Sequence, residues 1–285
     1  MKKILAFILA FNMVFALCAC SSSSGSGQAS YTPVSEHKGQ EYTVGDYKIK
    51  VFDATRDAAI VDYNGSDTEV VVPAELDGYP VTAIGKDAFY YSSYSDEKLL
   101  KKVTLPDSVT AIEESAFHGQ TELKEFKIPS GVTFLGEKVF YKCESLTALT
   151  IPEGITVIPA YLCYECTALR SVTLPSGVTN IGEYAFASCS LKSITLPEGL
   201  VQIEKGAFQK NELTEVTFPS TLTTLGESAF SSNDNMVKMV IPETVKKIGD
   251  HAIPYISNGE MEIWCAEGSA AYKYATKNGI KYRLT

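Results

Sequence analysis

One feature constrains the fold of this chain more than any other: a proline returns at a nearly constant interval along most of its length. Successive repeat prolines are 33, 23, 23, 23, 22, 22 and 23 residues apart, at Pro73, Pro106, Pro129, Pro152, Pro175, Pro197, Pro219 and Pro242. A steady period of this size indicates stacked repeats, because one such unit cannot bury its own apolar face. The sequence therefore predicts one continuous solenoid whose functional sites lie on its surface.

Apolar residues recur at fixed distances from each proline, as the copy around Pro175 illustrates. Leu169, Val172 and Leu174 stand six, three and one residues before it. This Leu-x-x-Leu-x-Leu spacing is typical of a leucine-rich-repeat strand, whose last two apolar side chains share one face. After the proline come two further apolar positions, a frequent glycine and an Ala-Phe pair ending in Phe186, for which we expect one helical turn.

Residues 41–72 precede the regular array and predict an N-terminal β cap. They contain three short β-rich runs, the last of which is Glu69–Val72. The dipeptide Asn64-Gly65 before that run is typical of a hairpin turn. We expect the three strands to close the exposed sheet edge of the first coil.

Residues 257–285 predict a C-terminal cap of a helix followed by a strand, with Ser269 as the helix N-cap and Gly279 just beyond its end. The predicted fold class is therefore mostly β with short helical turns. It is a single leucine-rich-repeat solenoid of about eight coils of 22–23 residues over residues 73–256, with a β N-terminal cap and a helix–strand C-terminal cap.

The chain begins with the layout of a secretory signal peptide in residues 1–19. Two lysines precede an apolar run, Ile4–Leu17, that is too short for a comfortable transmembrane helix. The Leu-Cys-Ala-Cys sequence that ends at Cys20 resembles the bacterial lipoprotein box, which implies that Cys20 carries a lipid anchor. Residues 20–40 are rich in serine, glycine and polar residues and predict a flexible tether. A soluble secreted protein cut near Ala19 is the alternative.

The repeat pattern Leu-x-x-Val-x-Leu-Pro-x-x-Val-x-x-Ile-Gly-x-x-Ala-Phe-x-x-Cys resembles the BspA-like leucine-rich repeat family of bacterial surface proteins. Seven copies carry the resemblance, and the C-terminal segment is similar to the family's usual cap, so the resemblance covers roughly residues 42–285. It implies adhesion to proteins outside the cell and no catalysis. It names no ligand, because family members differ in partner.

The cysteines suggest metal or redox chemistry at first sight, since Cys163 and Cys166 form a C-x-x-C pair. However, Cys143, Cys166 and Cys189 all stand fourteen residues after a proline, and Cys163 occupies the phenylalanine column. Cys143 and Cys189 would lie about 10 Å apart in stacked coils, too far to share a zinc ion. We expect a buried packing ladder, no metal and no cofactor. A disulfide between neighbours such as Cys143 and Cys166 stays open.

No constellation of residues predicts catalysis, and we expect that the chain is not an enzyme. The histidines, His37, His118 and His251, lack a nucleophile or metal-spaced partner, and no phosphate loop or G-x-S-x-G motif is present. A carboxylate column eight residues after the proline predicts a solvated stripe, because calcium needs six to eight converging oxygens. Its members are Glu114, Glu137, Glu183, Glu227 and Asp250.

Two surfaces are candidate binding sites. One is the outward face of the repeat strands, a floor that includes Lys127, Thr150, Thr173, Thr195 and Thr217. Threonine is also simply a good strand residue, so this pattern has a structural alternative. The other is the five-residue insertion after Phe89, where Tyr90, Tyr91 and Tyr94 stand among serines, a composition suited to protein contact. A loop that only covers the first coil is the alternative there.

The net charge of −9 argues against nucleic acid as a partner, because binding to phosphate backbones needs clustered basic residues. Our hypothesis is a lipid-anchored, extracytoplasmic bacterial surface protein that binds proteins or adheres to a host or its extracellular matrix. The alternative is a structural envelope module that binds another bacterial protein or a glycan. We expect a monomer that touches the membrane only through its anchor.

Overall fold

The computed structural model describes residues 31–92, 99–255 and 261–285. They form a mostly β solenoid of about nine turns and include a single α-helix, which confirms the predicted fold class. The array is about one turn longer than predicted. The reason is that Glu262–Cys265, in the C-terminal segment, adds one more parallel strand beside Lys238–Val240.

The strands of the described residues are short, because each coil changes direction after a few residues. The helix α1 spans Ala270–Asn278. In chain order the strands are β1 (Gly39–Val44), β2 (Tyr47–Phe52), β3 (Ala58–Tyr63), β4 (Glu69–Val71), β5 (Glu75–Leu76), β6 (Tyr79–Ile84), β7 (Lys102–Thr104), β8 (Ala111–Ile112), β9 (Glu125–Phe126), β10 (Phe134–Leu135), β11 (Ala148–Thr150), β12 (Val157–Ile158), β13 (Ser171–Thr173), β14 (Asn180–Ile181), β15 (Gln202–Ile203), β16 (Glu215–Thr217), β17 (Thr224–Leu225), β18 (Lys238–Val240), β19 (Lys247–Ile248), β20 (Glu262–Cys265) and β21 (Lys281–Leu284).

Two parallel ladders run along the solenoid. The first ladder precedes the repeat prolines and consists of three paired groups, β4-β7-β9, β11-β13 and β16-β18-β20-β21, and Thr195 lies between the last two groups outside any strand. The second follows the prolines and consists of two paired groups, β6-β8-β10 and β12-β14-β15-β17-β19. Equivalent residues pair across neighbouring coils, as Leu149 does with Val172 and Ile158 with Ile181. Each repeat position is therefore stacked on itself, and the apolar columns form one core between the ladders.

The segment after the second ladder consists of tight turns rather than the helical turn expected before Phe186. Residues nine and thirteen after the proline have left-handed φ angles, 51° at Tyr184 and 56° at Ser188. Alternate amides therefore point along the solenoid axis, and the N–H groups of Tyr184, Phe186 and Ser188 donate to carbonyls of the next coil at 2.8–2.9 Å. A helical turn would direct these amides to its own carbonyls and break this contact between coils.

The side chains of the phenylalanine column fill the centre of the coils. Phe117, Phe140, Phe186, Phe208 and Phe230 are fully buried. Neighbouring rings stack at 5.1–5.9 Å wherever two consecutive coils both carry phenylalanine. Cys163 takes the place of the ring in one coil, as the register predicts, and it is also fully buried.

The glycine seven residues after several prolines has a steric cause. A Cβ atom on Gly136 would lie 2.3 Å from the backbone nitrogen of Glu114 in the preceding coil, and one on Gly226 would lie 2.5 Å from the backbone of Glu204. Contacts below 3.0 Å force a shift of the backbone. Glycine therefore allows the coils to approach each other closely at this corner.

The column fourteen residues after the proline contains cysteine in some coils and an amide side chain in others, with one shared function. Cys166 Sγ donates to Phe140 O at 3.0 Å, and Asn211 Nδ2 donates to Phe186 O at 2.8 Å. In both cases the acceptor is the carbonyl of the central column one coil earlier. Either side chain thus joins two coils through a buried hydrogen bond.

Coil length explains where the amide is needed. Leu169 follows Cys166 by three residues, and its N–H donates to the Cys166 carbonyl at 2.9 Å. Leu191 follows Cys189 by only two residues in the shorter coil, and its N–H instead donates to Asn211 Oδ1 at 3.0 Å. The same exchange occurs at Leu213, which follows Asn211 by two residues and donates to Asn233 Oδ1 at 3.2 Å. Leu100, at the end of the longer first coil, likewise donates to Gln120 Oε1 at 2.7 Å.

We therefore expect Asn211→Cys to lower the free energy of unfolding by about 1–3 kcal/mol, the cost of a buried N–H group without a partner. Chemical denaturation, with amide hydrogen exchange at Leu191, measures this loss. The reciprocal change Cys166→Asn is the matched comparison, and it should also destabilise the protein, because Leu146 N–H already donates to Cys143 O and leaves the new Oδ1 unpaired. If both exchanges were neutral, the coil-length explanation would be wrong.

The N-terminal cap differs from the prediction in its strands. The antiparallel strands β1, β2 and β3 form it, and β3 joins the second ladder through parallel pairing with β6. Glu69–Val71, expected in the cap, belongs to the first ladder and pairs with Lys102–Thr104. Asn64-Gly65 is therefore not a hairpin turn between paired strands. The outer edge belongs to Gly39–Val44, whose alternation is too weak to mark it in the sequence.

Residues 31–40, assigned to the flexible tether, are packed on the solenoid instead. Val34 is buried, and the Tyr31 ring stacks on Phe134 with centroids 4.0 Å apart. The buried carboxylate of Glu113 accepts from Tyr31 Oη at 3.0 Å and from Val34 N at 2.6 Å, and Lys50 Nζ donates to Val34 O at 2.8 Å. These long-range contacts fix the segment, and composition alone could not reveal them.

At the other end, α1 packs beside β20, and β21 adds the last strand. Ser269 Oγ accepts from Tyr272 N at 3.1 Å, and Gly279 adopts a left-handed φ of 66° after the helix. None of the helices in the described residues is long and apolar enough to cross a membrane.

Candidate functional site

The outward face of the first ladder, which we call the strand face, forms a broad polar surface. Its residues stand two and four positions before each proline, and the predicted members Lys127, Thr150, Thr173, Thr195 and Thr217 are all exposed. Their inward neighbours, such as Leu149 and Val216, are buried. The alternation of the strand thus separates a core face from a face that is open to a partner.

Charged rows of opposite sign border the strand face. A cationic row stands five residues before the prolines and contains Lys101, Lys124, Arg170 and Lys192. An acidic row stands one residue after them and contains Asp107, Glu153, Glu198 and Glu243. All eight side chains are exposed, and the rows are six residues apart in each coil, about 20 Å of extended chain. The threonine floor therefore lies between two electrostatically opposite borders.

A groove lies on the strand face near its N-terminal end. Its volume is about 690 Å³, and Lys102, Thr104, Glu125, Lys127 and Ala148 contribute to its walls. Of the predicted site residues, the structure brings Lys127 into this groove, whereas the four threonines continue the floor beyond it. Ligand sites are usually concave, so the groove is the best-formed recess on this face.

The far end of the strand face has a different character. Trp264 lies between two cations, with Lys238 Nζ 4.0 Å and Arg283 Cζ 4.9 Å from its ring centroid. Its indole N–H donates to Glu262 Oε2 at 2.6 Å, and Arg283 also contacts that carboxylate at 3.6 Å. Cation–π contacts cover both faces of the ring, so this end is held rigid.

The second predicted site is only partly in the described residues. Tyr94 lies outside them, as does the proposed anchor Cys20. Tyr90 is 38% exposed, and Tyr91 N donates to His118 O at 2.9 Å on the next coil. The backbone at Tyr91 leaves no room for a Cβ on Gly119, which would lie 2.3 Å from its carbonyl oxygen. The start of the insertion is therefore fixed against the solenoid.

Tyr90 also begins a row of aromatic rings that sequence reasoning missed. His118, Tyr141 and Tyr164 share the column twelve residues after the proline, and Tyr90, which stands seventeen residues after Pro73 in the longer first coil, lies beside His118. Ring centroids are 4.6–5.1 Å apart in successive pairs. Tyr161 and Tyr184, three positions earlier in their coils, extend the row at 5.4–6.2 Å. We call these six residues the aromatic strip. Aligning the columns nine and twelve after the proline would have revealed it.

The surroundings of the aromatic strip shift the pKa of its members. Partial burial lowers the pKa of His118, and the nearby Lys142 and Lys138 lower it further. His118 is therefore half-buried in the strip and not the ordinary surface residue that the sequence suggested. Burial also raises the pKa of Tyr161, with contributions from the carboxylates of Glu183 and Glu137.

Two rings of the strip sit on unfavourable backbone. The φ angles of Tyr161 and Tyr184 are 57° and 51°, in the left-handed region. A bulky residue there costs about 1–2 kcal/mol. Equivalent positions hold the smaller Ser115, Gly206 and Ser228 in three coils and Lys138 and His251 in two others, all with left-handed φ angles.

The cysteines of the described residues are buried, and Cys143, Cys166 and Cys189 form one column along the solenoid. Cys143, Cys163, Cys166, Cys189 and Cys265 are free and buried. Burial raises the pKa of the Cys143, Cys163 and Cys189 thiols well above the usual value. Within the described ranges, no group of three or more histidine, cysteine, aspartate or glutamate side chains is arranged to hold a metal ion.

We expect these thiols to resist alkylation while the protein is folded, because burial shields them from the reagent, and at Cys143, Cys163 and Cys189 a raised pKa also disfavours the reactive thiolate. Iodoacetamide at neutral pH, followed by peptide mass spectrometry, should leave Cys143, Cys163, Cys166 and Cys189 unmodified until denaturant is added. A Ser232→Cys variant places an exposed thiol one residue before the column and should react at once. Native labelling of the column, or a disulfide between Cys143 and Cys166, would contradict this expectation.

Comparison with known proteins identifies the class. Residues 82–186 and 156–265 match the BspA type leucine rich repeat region, in six copies. The match covers more than half of the chain, so this protein belongs to the BspA-type leucine-rich repeat family. No curated protein is similar enough to count as a relative.

Three solved structures are similar to this chain, and the first of them supports the fold. A leucine-rich repeat protein of T. pallidum is 22% identical, with a TM-score of 0.51, over 86% of this chain and 98% of that one. A leucine rich cell surface protein of Faecalibacterium prausnitzii is 21% identical, with a TM-score of 0.45, over 87% and 95%. A leucine-rich repeat protein of Bacteroides ovatus is 17% identical, with a TM-score of 0.49, over 86% and 99%. At these identities the likeness extends to the fold alone.

Proposed function

We propose that this protein is an extracytoplasmic, lipid-anchored surface protein that binds another protein through its strand face. The observation that carries the proposal is the threonine floor between a cationic and an acidic row. Such a surface offers hydrogen-bonding groups in the middle and charges of both signs at the rim. Complementary charges at a rim direct association and orientation more than they add affinity.

The strand face suits a large, shallow contact. The strands that carry it are held in register by the ladder, so little conformational entropy is lost when a partner binds. The groove at Lys127 supplies a recess for a protruding side chain, and the floor at Thr150 and Thr173 supplies area beside it. Membership in a repeat family whose coils build extended binding surfaces supports the same function.

The partner decides between two versions of this proposal. In the first, the protein is an adhesin for a host or its extracellular matrix. In the second, it holds another protein or a glycan of the bacterium's own envelope. The packing of residues 31–40 favours the second, because only ten residues separate Cys20 from Tyr31. A Gly/Ser-rich linker of that length reaches about 15–20 Å, which would keep the solenoid close to its own membrane.

A charge substitution on the strand face tests the site. The triple variant Thr150→Glu, Thr173→Glu and Thr195→Glu should weaken binding roughly tenfold or more, because uncompensated charges would be buried in the contact. The assay measures binding of the unmodified chain and of the variant to immobilised matrix proteins and to the bacterium's own envelope proteins. The set of immobilised proteins that binds the unmodified chain identifies the partner class.

The matched control places the same substitutions beside the other ladder. Thr133, Thr156 and Thr179 stand four residues after their prolines and are likewise exposed. Their triple Glu variant should bind like the unmodified chain. Equal binding by the strand-face variant and this control would show that the strand face is not the site.

The anchor is tested by Cys20→Ala. The proposal predicts that this variant moves from the membrane fraction to the soluble fraction and loses incorporation of a labelled fatty acid. Cys18→Ala, two residues earlier in the same motif, is the control and should stay in the membrane fraction. Membrane association of the Cys20 variant would argue against the lipid anchor and leave the binding site unaffected.

A further inference from the structure

The aromatic strip is not required by the repeat fold. The column that begins at Tyr90, and that stands twelve residues after the proline in the later coils, contains tyrosine or histidine as far as Tyr164, but Ala187, Gln209 and Ser231 in the following coils. The column nine residues after the proline contains Tyr161 and Tyr184, the smaller Ser115, Gly206 and Ser228, and the longer Lys138 and His251. The turns keep the same left-handed residues and the same hydrogen bonds between coils in both halves. Small residues therefore satisfy the fold at these positions.

Two tyrosines are retained at positions that disfavour them. Tyr161 and Tyr184 adopt left-handed φ angles that Gly206 and Ser228 adopt at lower cost in equivalent turns. Lys138 and His251 adopt the same conformation in their coils, so the turn imposes the left-handed φ but does not require tyrosine. The conformational free-energy cost of the left-handed backbone therefore falls on Tyr161 and Tyr184, the two residues that extend the strip beyond Tyr164.

The geometry of the rings limits what they can bind. Tyr141 has the Tyr164 ring stacked on one side and the tilted His118 ring 4.6 Å away, and Tyr184 lies between Tyr161 and Gly206, where an added Cβ would be 2.2 Å from the Tyr184 ring. These neighbours restrict the stacking of a sugar ring on the faces of the two tyrosines. Both tyrosines are partly exposed, so they offer edges, whose hydrogens carry the positive part of the ring quadrupole. Edges of this kind pack well against the faces of another protein's aromatic side chains.

The charges around the strip indicate which charges a partner would carry. Six carboxylates border it against four ammonium groups, with Asp87, Glu114, Glu137, Glu165, Glu183 and Glu227 facing Lys86, Lys138, Lys142 and Lys205. Three of the lysines are paired, Lys86 with Glu114 at 2.9 Å, Lys142 with Glu165 at 3.5 Å and Lys205 with Glu227 at 3.2 Å. Glu137 and Glu183 make no salt bridge within the described residues, although both influence Tyr161. The uncompensated charge beside the rings is therefore negative.

We propose that the aromatic strip is a second protein-binding surface, and that it takes a segment in which arginine or lysine stands next to aromatic side chains. The aromatic residues of the segment pack on the ring edges, and its cations pair with Glu137 and Glu183. Interface centres are enriched in tyrosine, and tyrosine is a frequent hot-spot residue, which agrees with this arrangement. The inference rests on the proposed role in protein binding, but it concerns a surface separate from the strand face.

The test uses a phage-displayed library of random linear peptides, selected on the full chain in mild detergent. The strip variant carries Tyr141→Gln, Tyr161→Ser, Tyr164→Ala and Tyr184→Gly, each a residue that the same column contains in another coil. These replacements keep the backbone requirements of the turns, so the variant should retain cooperative unfolding. Selected peptides should be rich in arginine or lysine beside aromatic residues, and should bind the strip variant roughly thirtyfold or more weakly.

A second variant removes the charges and leaves every ring in place. The double variant Glu137→Gln, Glu183→Gln should bind the same peptides more weakly, and peptides selected on it should show a smaller preference for cations. Because every ring stays in place, a folding defect of the strip variant cannot explain this loss of binding. The strand-face variant with three threonines replaced by glutamate should bind these peptides like the unmodified chain, so a failure of the strand-face proposal is separately visible.

The other outcomes overturn the proposal. No peptide whose binding depends on the strip, or selected peptides rich in aspartate and glutamate, would show that the surface does not take a cationic protein segment. A glycan array in which an oligosaccharide binds the chain and loses binding in the strip variant would replace the protein segment with a carbohydrate.

Discussion

The structure depends on backbone hydrogen bonds that join one coil to the next along the solenoid axis. At the tight turn, the N–H groups of Tyr184, Phe186 and Ser188 all donate to the following coil, and the two strand ladders do the same on the other sides. This stacking places every repeat position directly over its equivalent. Each column must therefore contain side chains that tolerate their own copies at a spacing of about 5 Å. Stacked phenylalanines meet this condition in the core, and glycine meets it where the backbones approach most closely.

The same constraint explains how much of the molecule the sequence could predict. A constant proline interval and the apolar columns were sufficient for the solenoid, for the burial of Cys163 in the phenylalanine column and for the exposed floor at Thr150. These features repeat, so each copy supports the others. The contacts of Tyr31 and Val34 with Glu113 occur once and join residues far apart in the chain, so no periodic signal marks them. The prediction also missed the edge strand Gly39–Val44 and the tight turns that replace the expected helical turn, because both depend on local geometry that no periodic signal marks.

The residues of the candidate site also differ in how well the repeat register predicted them. Lys127 and the threonines were found because they share a register, whereas Tyr90 was assigned to an insertion and its membership of a column was overlooked. In the structure the Tyr90 ring contacts the His118 ring on the next coil. The start of the insertion therefore belongs to the aromatic strip. The packing of residues 31–40 also changes the proposed geometry of the anchor. Only ten residues separate the proposed anchor Cys20 from Tyr31.

A repeat array offers a way to separate structural variation from functional variation. Where cysteine gives way to Asn211, the change accompanies a shorter coil, and the amide oxygen accepts the N–H of Leu191 that the shorter coil leaves without a partner. That variation belongs to the fold. Where Tyr164 gives way to Ala187, the turn and its hydrogen bonds to the next coil stay the same, so nothing in the backbone requires the ring. A residue type that varies within a column while the backbone does not is free to serve a partner. By this criterion the aromatic strip is a binding surface and the cysteine column is not.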